Sequence, residues 1–277
     1  IPENDYFTPK LLEVSTVDNQ NLHSLENIDY IIVTQDFLVN QAQRLADYHN
    51  TNSGLVTKVI RLDQIYNEFS SGSKDLTAIR DFARHLYLNS NSNRLKYICL
   101  FGDASYDYKD RIGGNNNIVP VFEAYDSFNL ASSYVTDDYY GMMDENEGAM
   151  SSFERQDIIT GRIPVTNPIE ADEVVNKILN YYSPKSFGSW RNQITLVADD
   201  IDVAGEETIQ VSMEKLADTI AANKPIFNVK KIYADAYIQE SSSGGKKYPT
   251  VNVEITNQVE KGTLLIDYFG HGGEGGW

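Results

Sequence analysis

The segment Leu264–Trp277, LLIDYFGHGGEGGW, sets one histidine among five glycines directly after an apolar run. Imidazole titrates near neutrality, so His271 can take a proton from a nucleophile and return it to a leaving group. Small neighbours let a peptide backbone lie close to the ring, and the N–H of Gly272 is placed to help stabilise an oxyanion. The same residues fit G-x-G-x-x-G from Gly270 to Gly275, the pattern of a dinucleotide-binding turn. That reading needs a helix at once and an acid about 20 residues further on. Neither appears before Trp277, and a bulky histidine suits a tight turn poorly. A third reading leaves His271 as a turn residue with no chemical duty.

A base needs a nucleophile, and the rest of the chain offers little. Cys99 is the only cysteine, so no disulfide forms within the chain. It sits inside the run KYICLFG, where a cysteine behaves as a small buried hydrophobe. There is no G-x-S-x-G elbow, and the clusters SSGS and SSSGG read as flexible loops. His23 falls in a polar lead-in, His49 near a helix end and His85 off the apolar face of its helix, so all three read as structural. The absence of H-E-x-x-H and of paired Cys/His spacings argues against transition-metal catalysis. The run DENEG at Asp144–Gly148 alternates oxygen ligands, but its glycine comes one position early for an EF-hand loop. A solvated acidic loop is the favoured reading there. GGKK is not a P-loop, because Glu240 stands where the first glycine is needed.

The elements that must position these residues follow an alternating rhythm. Residues 1–27 are polar and aperiodic, a lead-in. Ile28–Thr34 is a short apolar run suited to a buried strand. A helix follows with Leu38, Ala42, Leu45 and Ala46 on one face, then the strand LVTKVIRL. Asp75 caps a helix whose inner face is Ile79, Phe82, Ala83, Leu86 and Tyr87, and Leu95–Gly102 is the next strand. A long loop-like stretch spans 111–153, and a boundary near 130 divides a first subdomain, 28–130, from a second, 131–277. The rhythm resumes with the strand RQDIITGRI and a helix signed by Asn167 as cap, Pro168 at its first position and Glu170 closing a capping box. The strands NQITLVADD, NVKKIYAD and TLLIDYFG alternate with helices through Ile209–Ile220 and roughly 249–260. Such alternation implies a mainly parallel sheet covered by helices, with function beyond the carboxyl ends of its strands. That rule selects Asp103, Asp199, Asp200 and His271.

Bulk properties exclude several classes. The net charge of −17 leaves no basic footprint for nucleic acid and disfavours anionic lipid. No apolar run approaches the length of a membrane span. The opening IPENDYFTPK has neither the basic nor the apolar region of a signal peptide, so the chain reads as a segment of something longer.

LLIDYFGHGGEGGW resembles the histidine motif of the gingipain family of cysteine peptidases: an apolar strand, Gly-His-Gly, an acid and a tryptophan. NQNLHSL, QIYNEFSSG, DLTAIRDF, LFGDASYDYKD, TDDYYG and GRIPVTNPIEADEVVNKILNYY resemble, in order, the type IX secretion branch of that family, which acts as signal peptidase and sortase. The resemblance runs from about residue 19 to the last residue. It implies a caspase-like, gingipain-type α/β fold of two subdomains, with mainly parallel sheets flanked by helices and the chemistry in the second. His271 matches the catalytic histidine and Gly272 the oxyanion-hole glycine, while Glu274 and Trp277 fall at the substrate-facing end of the motif. The family's nucleophilic cysteine follows the next strand. The chain stops six residues after His271, so it is expected to hold a base without a nucleophile and to be inactive alone. Family members that cut after arginine orient the histidine with an acid after an LVAD-like strand; Asp199, Asp200 and Asp202 are the choices here, and Asp200 is favoured. Thr208 aligns with the acid that binds the arginine side chain, and a threonine supplies no such charge. No cofactor is required; structural calcium is implied, with the loops at Asp103 and Asp144 as its sites. The implied function is removal of C-terminal sorting signals from exported proteins at the bacterial cell surface. Protein substrates bearing those signals and outer-membrane secretion proteins are then the partners, without nucleic acid or membrane insertion. The rival is a non-catalytic module of the same fold that recognises sorting signals or the secretion machinery.

Overall fold

Short β-branched runs separated by amphipathic stretches can bury both faces of a strand only if helices cover the sheet on each side. The computed structural model describes residues 16–272 apart from 18, 93, 115, 127, 130–132, 152 and 243–244. It divides into two compact units at residues 181 and 182.

The first unit contains β1 (Tyr30–Thr34), α1 (Val39–Asn52), β2 (Thr57–Arg61), α2 (Leu62–Phe69), α3 (Leu76–Asn89), β3 (Tyr97–Phe101), β4 (Phe122–Glu123), β5 (Val135–Thr136), β6 (Ile159–Ile163) and α4 (Pro168–Tyr182). Four parallel strands run in the order β2-β1-β3-β6, with Tyr30 opposite both Thr57 and Tyr97. Central β1 and β3 bury Ile31, Ile32, Val33, Ile98, Leu100 and Phe101, which is why their sequences do not alternate. Ala42, Leu45 and Ala46 of α1, and Ile79, Phe82, Ala83 and Leu86 of α3, fill the same core at helical spacing. β4 and β5 form a short antiparallel pair.

The N-terminal ends of three strands are tied by one carboxylate. Asp29 accepts the Val56 N–H at 2.7 Å and a two-pronged contact from Arg94 Nε and Nη2 at 2.7 and 2.9 Å. Its own N–H donates to the Val56 carbonyl, and its carbonyl accepts from Lys96 and Tyr97. The Arg94 guanidinium holds the Asp29 carboxyl below its ordinary range against the opposing effect of burial.

The second unit contains β7 (Gln193–Ala198), α5 (Glu207–Asn223), β8 (Asn228–Tyr233), β9 (Glu240–Ser242), β10 (Gly245–Lys247), α6 (Pro249–Lys261) and β11 (Leu265–Phe269). Three parallel strands run in the order β11-β7-β8, and β9 pairs antiparallel with β10. The two-residue period of β7 divides its side chains between two cores. Ile194, Leu196 and Ala198 meet Ile209, Met213 and Ala217 of α5, whereas Val197 meets Ile232, Ala234 and Val251. α6 ends at Gly262, whose φ of +93° and whose approach to Trp190 both call for glycine: a Cβ would stand 2.7 Å from Trp190 Cβ.

The subdomain boundary thus lies some fifty residues later than the loop-rich stretch near 130 suggests, because β6 pairs with β3 and completes the first sheet. Part of the lead-in is also built into that unit. Leu22 is buried, and Glu68 of α2 accepts from the Leu22 and His23 N–H groups and the Gln20 amide. The helix predicted at Asn167 forms, with Asn167 Oδ1 accepting from Ile169 and Glu170. Glu170 reaches back one residue further than the capping box predicts, to the N–H and hydroxyl of Thr166.

Candidate active site

β7 and β11 are neighbouring parallel strands in which Ala198 lies opposite Phe269, so the residues that follow them emerge at one rim. Asp199 extends the ladder by one bond, its N–H donating to the Phe269 carbonyl at 3.2 Å. Its carboxylate then captures the chain leaving β11. Asp199 Oδ2 accepts from the His271 N–H and from imidazole Nδ1, both at 2.9 Å. A carboxylate only accepts, so Nδ1 carries the proton in this pair and Nε2 is the working nitrogen. Tyr268 closes the turn by donating its hydroxyl to the His271 carbonyl at 2.6 Å. This folding back leaves no room at residue 270. A Cβ there would lie 2.5 Å from Asp199 Cβ and against the Tyr268 phenol, which accounts for Gly270.

The imidazole is open to solvent, with 68% of its side chain exposed, whereas Asp199 keeps 23%. On the other side of the ring, Nε2 lies 3.4 Å from Glu206 Oε1. Glu206 sits in the turn that opens α5, where its Oε2 accepts from the Asp202 and Val203 N–H groups. The hydrogen bond to Asp199, followed by the charge of Glu206, raises the His271 pKa. Burial pushes the Asp199 carboxyl up, but the hydrogen bonds from His271 and Asp200 outweigh it and hold the group below its usual range. Burial, and then the Asp199 charge, push the Tyr268 phenol up to about 12.

Asp200 does not touch the histidine; Asp199 takes the place expected for it. Successive residues leaving a strand point to opposite faces, so only one of the two acids can meet the ring. Asp200 instead accepts from the Tyr248 hydroxyl at 2.9 Å and the Gln239 amide at 3.2 Å, facing a cavity of about 460 Å³. Burial first, then the Asp202 and Asp199 charges, raise its pKa against the opposing Tyr248 hydrogen bond. Asp202 pairs with Lys246 at 3.0 Å. Thr208, in the first turn of α5, spends its hydroxyl on the Gly205 carbonyl at 3.0 Å. Among the described residues, no heavy atom apart from its chain neighbours stands within 4 Å of where a Gly272 side chain would begin. Glu274 and Trp277 lie outside the described residues.

Cys99 is buried in β3, as expected, and burial pushes its thiol up to about 12. Asp103 and Asp144 do not converge. Asp103 follows β3, and its Oδ1 accepts from the adjacent Ala104 N–H. Asp144 joins Glu147 and Asp157, whose ligand oxygens lie within 4.8 Å of one another. Arg80 from α3 takes the Met142, Asp144 and Glu147 carbonyls of the same loop. Among the described residues no helix is long and apolar enough to cross a membrane.

The sequence profile of peptidase family C25 matches residues 23–277. The chain belongs to peptidase family C25. This is the gingipain family of cysteine peptidases, and the caspase-like class of fold follows from it. Among solved structures, this C25 chain is similar to dimeric latent PorU of Porphyromonas gingivalis. The identity is 34% and the TM-score 0.55, over 63% of this chain and 17% of PorU. The complex of RgpB pro- and mature domains from the same organism shares 16% identity at a TM-score of 0.57, over 89% of this chain and 48% of that one. A further structure, described only as a protease, shares 17% identity at 0.53, over 90% and 46%. The last two likenesses concern the fold. The C25 chain therefore spans less than half the length of each of these proteins. No curated protein matches it.

Sequence alone offers Asp199 among three acids but favours Asp200, and it points neither to Glu206 beside the ring nor to Tyr268 on the His271 carbonyl. The local signal for Asp199 was present in ADDID, but spacing along a strand end does not say which of two adjacent acids turns inward. Glu206 carries no signal of its own in GEETIQ.

Proposed function

We propose that the intact protein is a cysteine endopeptidase that removes C-terminal sorting signals from exported proteins, with His271 as its base. The observation that carries this reading is the Asp199–His271 pair at the open rim of a parallel sheet in a family C25 chain. Asp199 fixes the tautomer and orientation of the ring, leaving Nε2 to exchange a proton with a thiol. A raised imidazole pKa favours the imidazolium, which stabilises the thiolate beside it. The thiolate attacks the peptide carbonyl and forms a thioester, while His271 gives its proton to the departing amine. Water or an acceptor amine then breaks the thioester. The Gly272 N–H is the proposed oxyanion donor.

Cys99 is unsuited to this attack, being buried in the first unit with its thiol held protonated. The proposed nucleophile therefore belongs to the parent protein outside these 277 residues, which by themselves are expected to be inactive. Protein substrates, outer-membrane secretion proteins as partners and a cell-surface location complete the proposal. The deciding experiment measures cleavage of a sorting-signal peptide by the full-length protein. His271→Ala is expected to lower kcat/KM by about 10²–10⁴-fold. Cleavage at full rate in that variant removes the base assignment, and peptide binding without any cleavage identifies a recognition module.

Calcium is proposed as a structural ion of the same protein. Three carboxylates with hard oxygen donors suit it at Asp144, Glu147 and Asp157. The nearby loop carbonyls, already engaged by Arg80, would contribute least. Asp103 adds no oxygen to this group. Calcium is expected to raise the Tm of the wild-type chain and not of Asp144→Asn; equal shifts in both place the ion elsewhere.

A further inference from the structure

Two carboxylates, not one, hold His271. Asp199 lies on Nδ1, and Glu206 Oε1 lies 3.4 Å from Nε2, the nitrogen that must face a nucleophile. Glu206 is not a loose surface acid. Its side chain is 17% exposed, its Oε2 is pinned by the Asp202 and Val203 N–H groups at 2.8 and 3.0 Å, and its own N–H donates to the Val203 carbonyl. The 17-residue helix α5 starts at the next residue, so the turn is anchored to a packed element. Among the described residues, His271 is the only cationic partner within salt-bridge distance of Glu206. The two nearest acids of the same loop are committed elsewhere: Asp202 to Lys246, and Glu207 to the Gly205 N–H.

We propose that Glu206 is a positioning residue that clamps the ring from the Nε2 side, so that the resting site is a carboxylate–imidazole–carboxylate sandwich from which a thiol must displace Glu206. This rests on the peptidase reading for its catalytic meaning, but the clamp itself is a property of the chain in hand. A ring held at both nitrogens cannot rotate about its Cβ–Cγ bond without breaking one contact, which keeps Nε2 on the side of α5. The negative charge across the ring also favours the imidazolium. Among the described residues, the charged and titratable groups around it are Asp199 on the ring and Asp200, turned away, after β7, Tyr268 on β11 and Glu206 before α5.

The test is an NMR pH titration of the His271 ring nitrogens in this 277-residue chain, with the signal assigned by its loss in His271→Ala. Glu206→Gln keeps an oxygen for the two N–H groups and removes the charge. Its midpoint is expected to fall by about 0.5 pH unit or more. Glu207→Gln, on the same loop, is expected to leave the midpoint unchanged. Glu206→Asp withdraws the carboxylate without removing it and is expected to give a smaller fall, so the test survives if the glutamine variant does not fold. A midpoint that is unmoved in Glu206→Gln and Glu206→Asp but falls in Asp199→Asn overturns the clamp. In the full-length protein the alkaline limb of kcat/KM is expected to move to lower pH by the same amount in Glu206→Gln. If the midpoint falls but the full-length protein cleaves nothing, the clamp stands and the peptidase reading fails.

Discussion

At the scale of single residues, the division of labour between Asp199 and Asp200 follows from alternation at a strand end. One carboxylate turns to the imidazole and is held ionised; the other turns to Tyr248 and is pushed toward its neutral form. Neutralising Asp199 removes both the acceptor for Nδ1 and the charge beside it, so Asp199→Asn is expected to lower the His271 pKa in an NMR titration. Asp200→Asn keeps the Nδ1 contact and is expected to leave a smaller change. Equal effects of the two would mean that charge alone, and not the hydrogen bond, sets the ring's protonation. His271 is legible in the sequence because a titratable residue set between glycines directly after an apolar run marks a tight turn that presents it at a strand end. The choice between two adjacent acids stayed illegible, since it depends on the twist and phase of β7 rather than on residue type.

At the scale of elements, the seven strands of the two parallel sheets and five of the six helices among the described residues are readable because their apolar periods are strong, and the boundaries differ by only a few residues. α2 and the β9–β10 pair were hidden for different reasons. α2 is eight residues long and begins directly where β2 ends, so a period of two runs into a period of 3.6 with no punctuation between them. The β9–β10 pair is three residues a side in a stretch of Ser, Gly and Lys, where backbone pairing carries the structure and apolar patterning is absent. Another device invisible in one dimension is the carboxylate of Asp29, which gathers the starts of β1 and β2 and the approach to β3. Asp29→Asn leaves the Arg94 guanidinium without its counter-charge at a site where Asp29 is 8% exposed. The expected cost is about 2 kcal/mol in urea unfolding, below the roughly 3–5 kcal/mol of a fully buried pair because Arg94 is part-exposed. The pH dependence has a definite sign. The folded carboxyl lies below its unfolded value, so its contribution is complete above the unfolded pKa of about 3.9 and is lost as pH falls through the folded one. A stability difference between wild type and Asp29→Asn that stays constant down through that range would refute the ion pair as its source.

At the scale of the whole molecule, the charge of −17 is a surface property that the sequence states outright and that the fold must tolerate. Many of the 40 acids are spent on local jobs: capping a helix, as Asp75 does, receiving backbone N–H groups, or pairing with some of the 23 lysines and arginines. The remainder repel one another, since the acids outnumber the lysines and arginines, and like-charge repulsion disfavours the compact state. Screening should relieve it. Raising NaCl from about 10 to about 300 mM shortens the Debye length from about 30 Å to below 8 Å, so repulsion between separated carboxylates fades while contact pairs lose less. The Tm, read by circular dichroism in the presence of a chelator, is therefore expected to rise across that range. The chelator separates this general effect from the calcium proposed for Asp144, Glu147 and Asp157, which would act at far lower concentration and depend on one loop. A Tm that falls with NaCl would mean that favourable pairs such as Arg162–Asp137 and Lys231–Glu214 outweigh the net repulsion, and that the acidic surface is arranged rather than merely abundant.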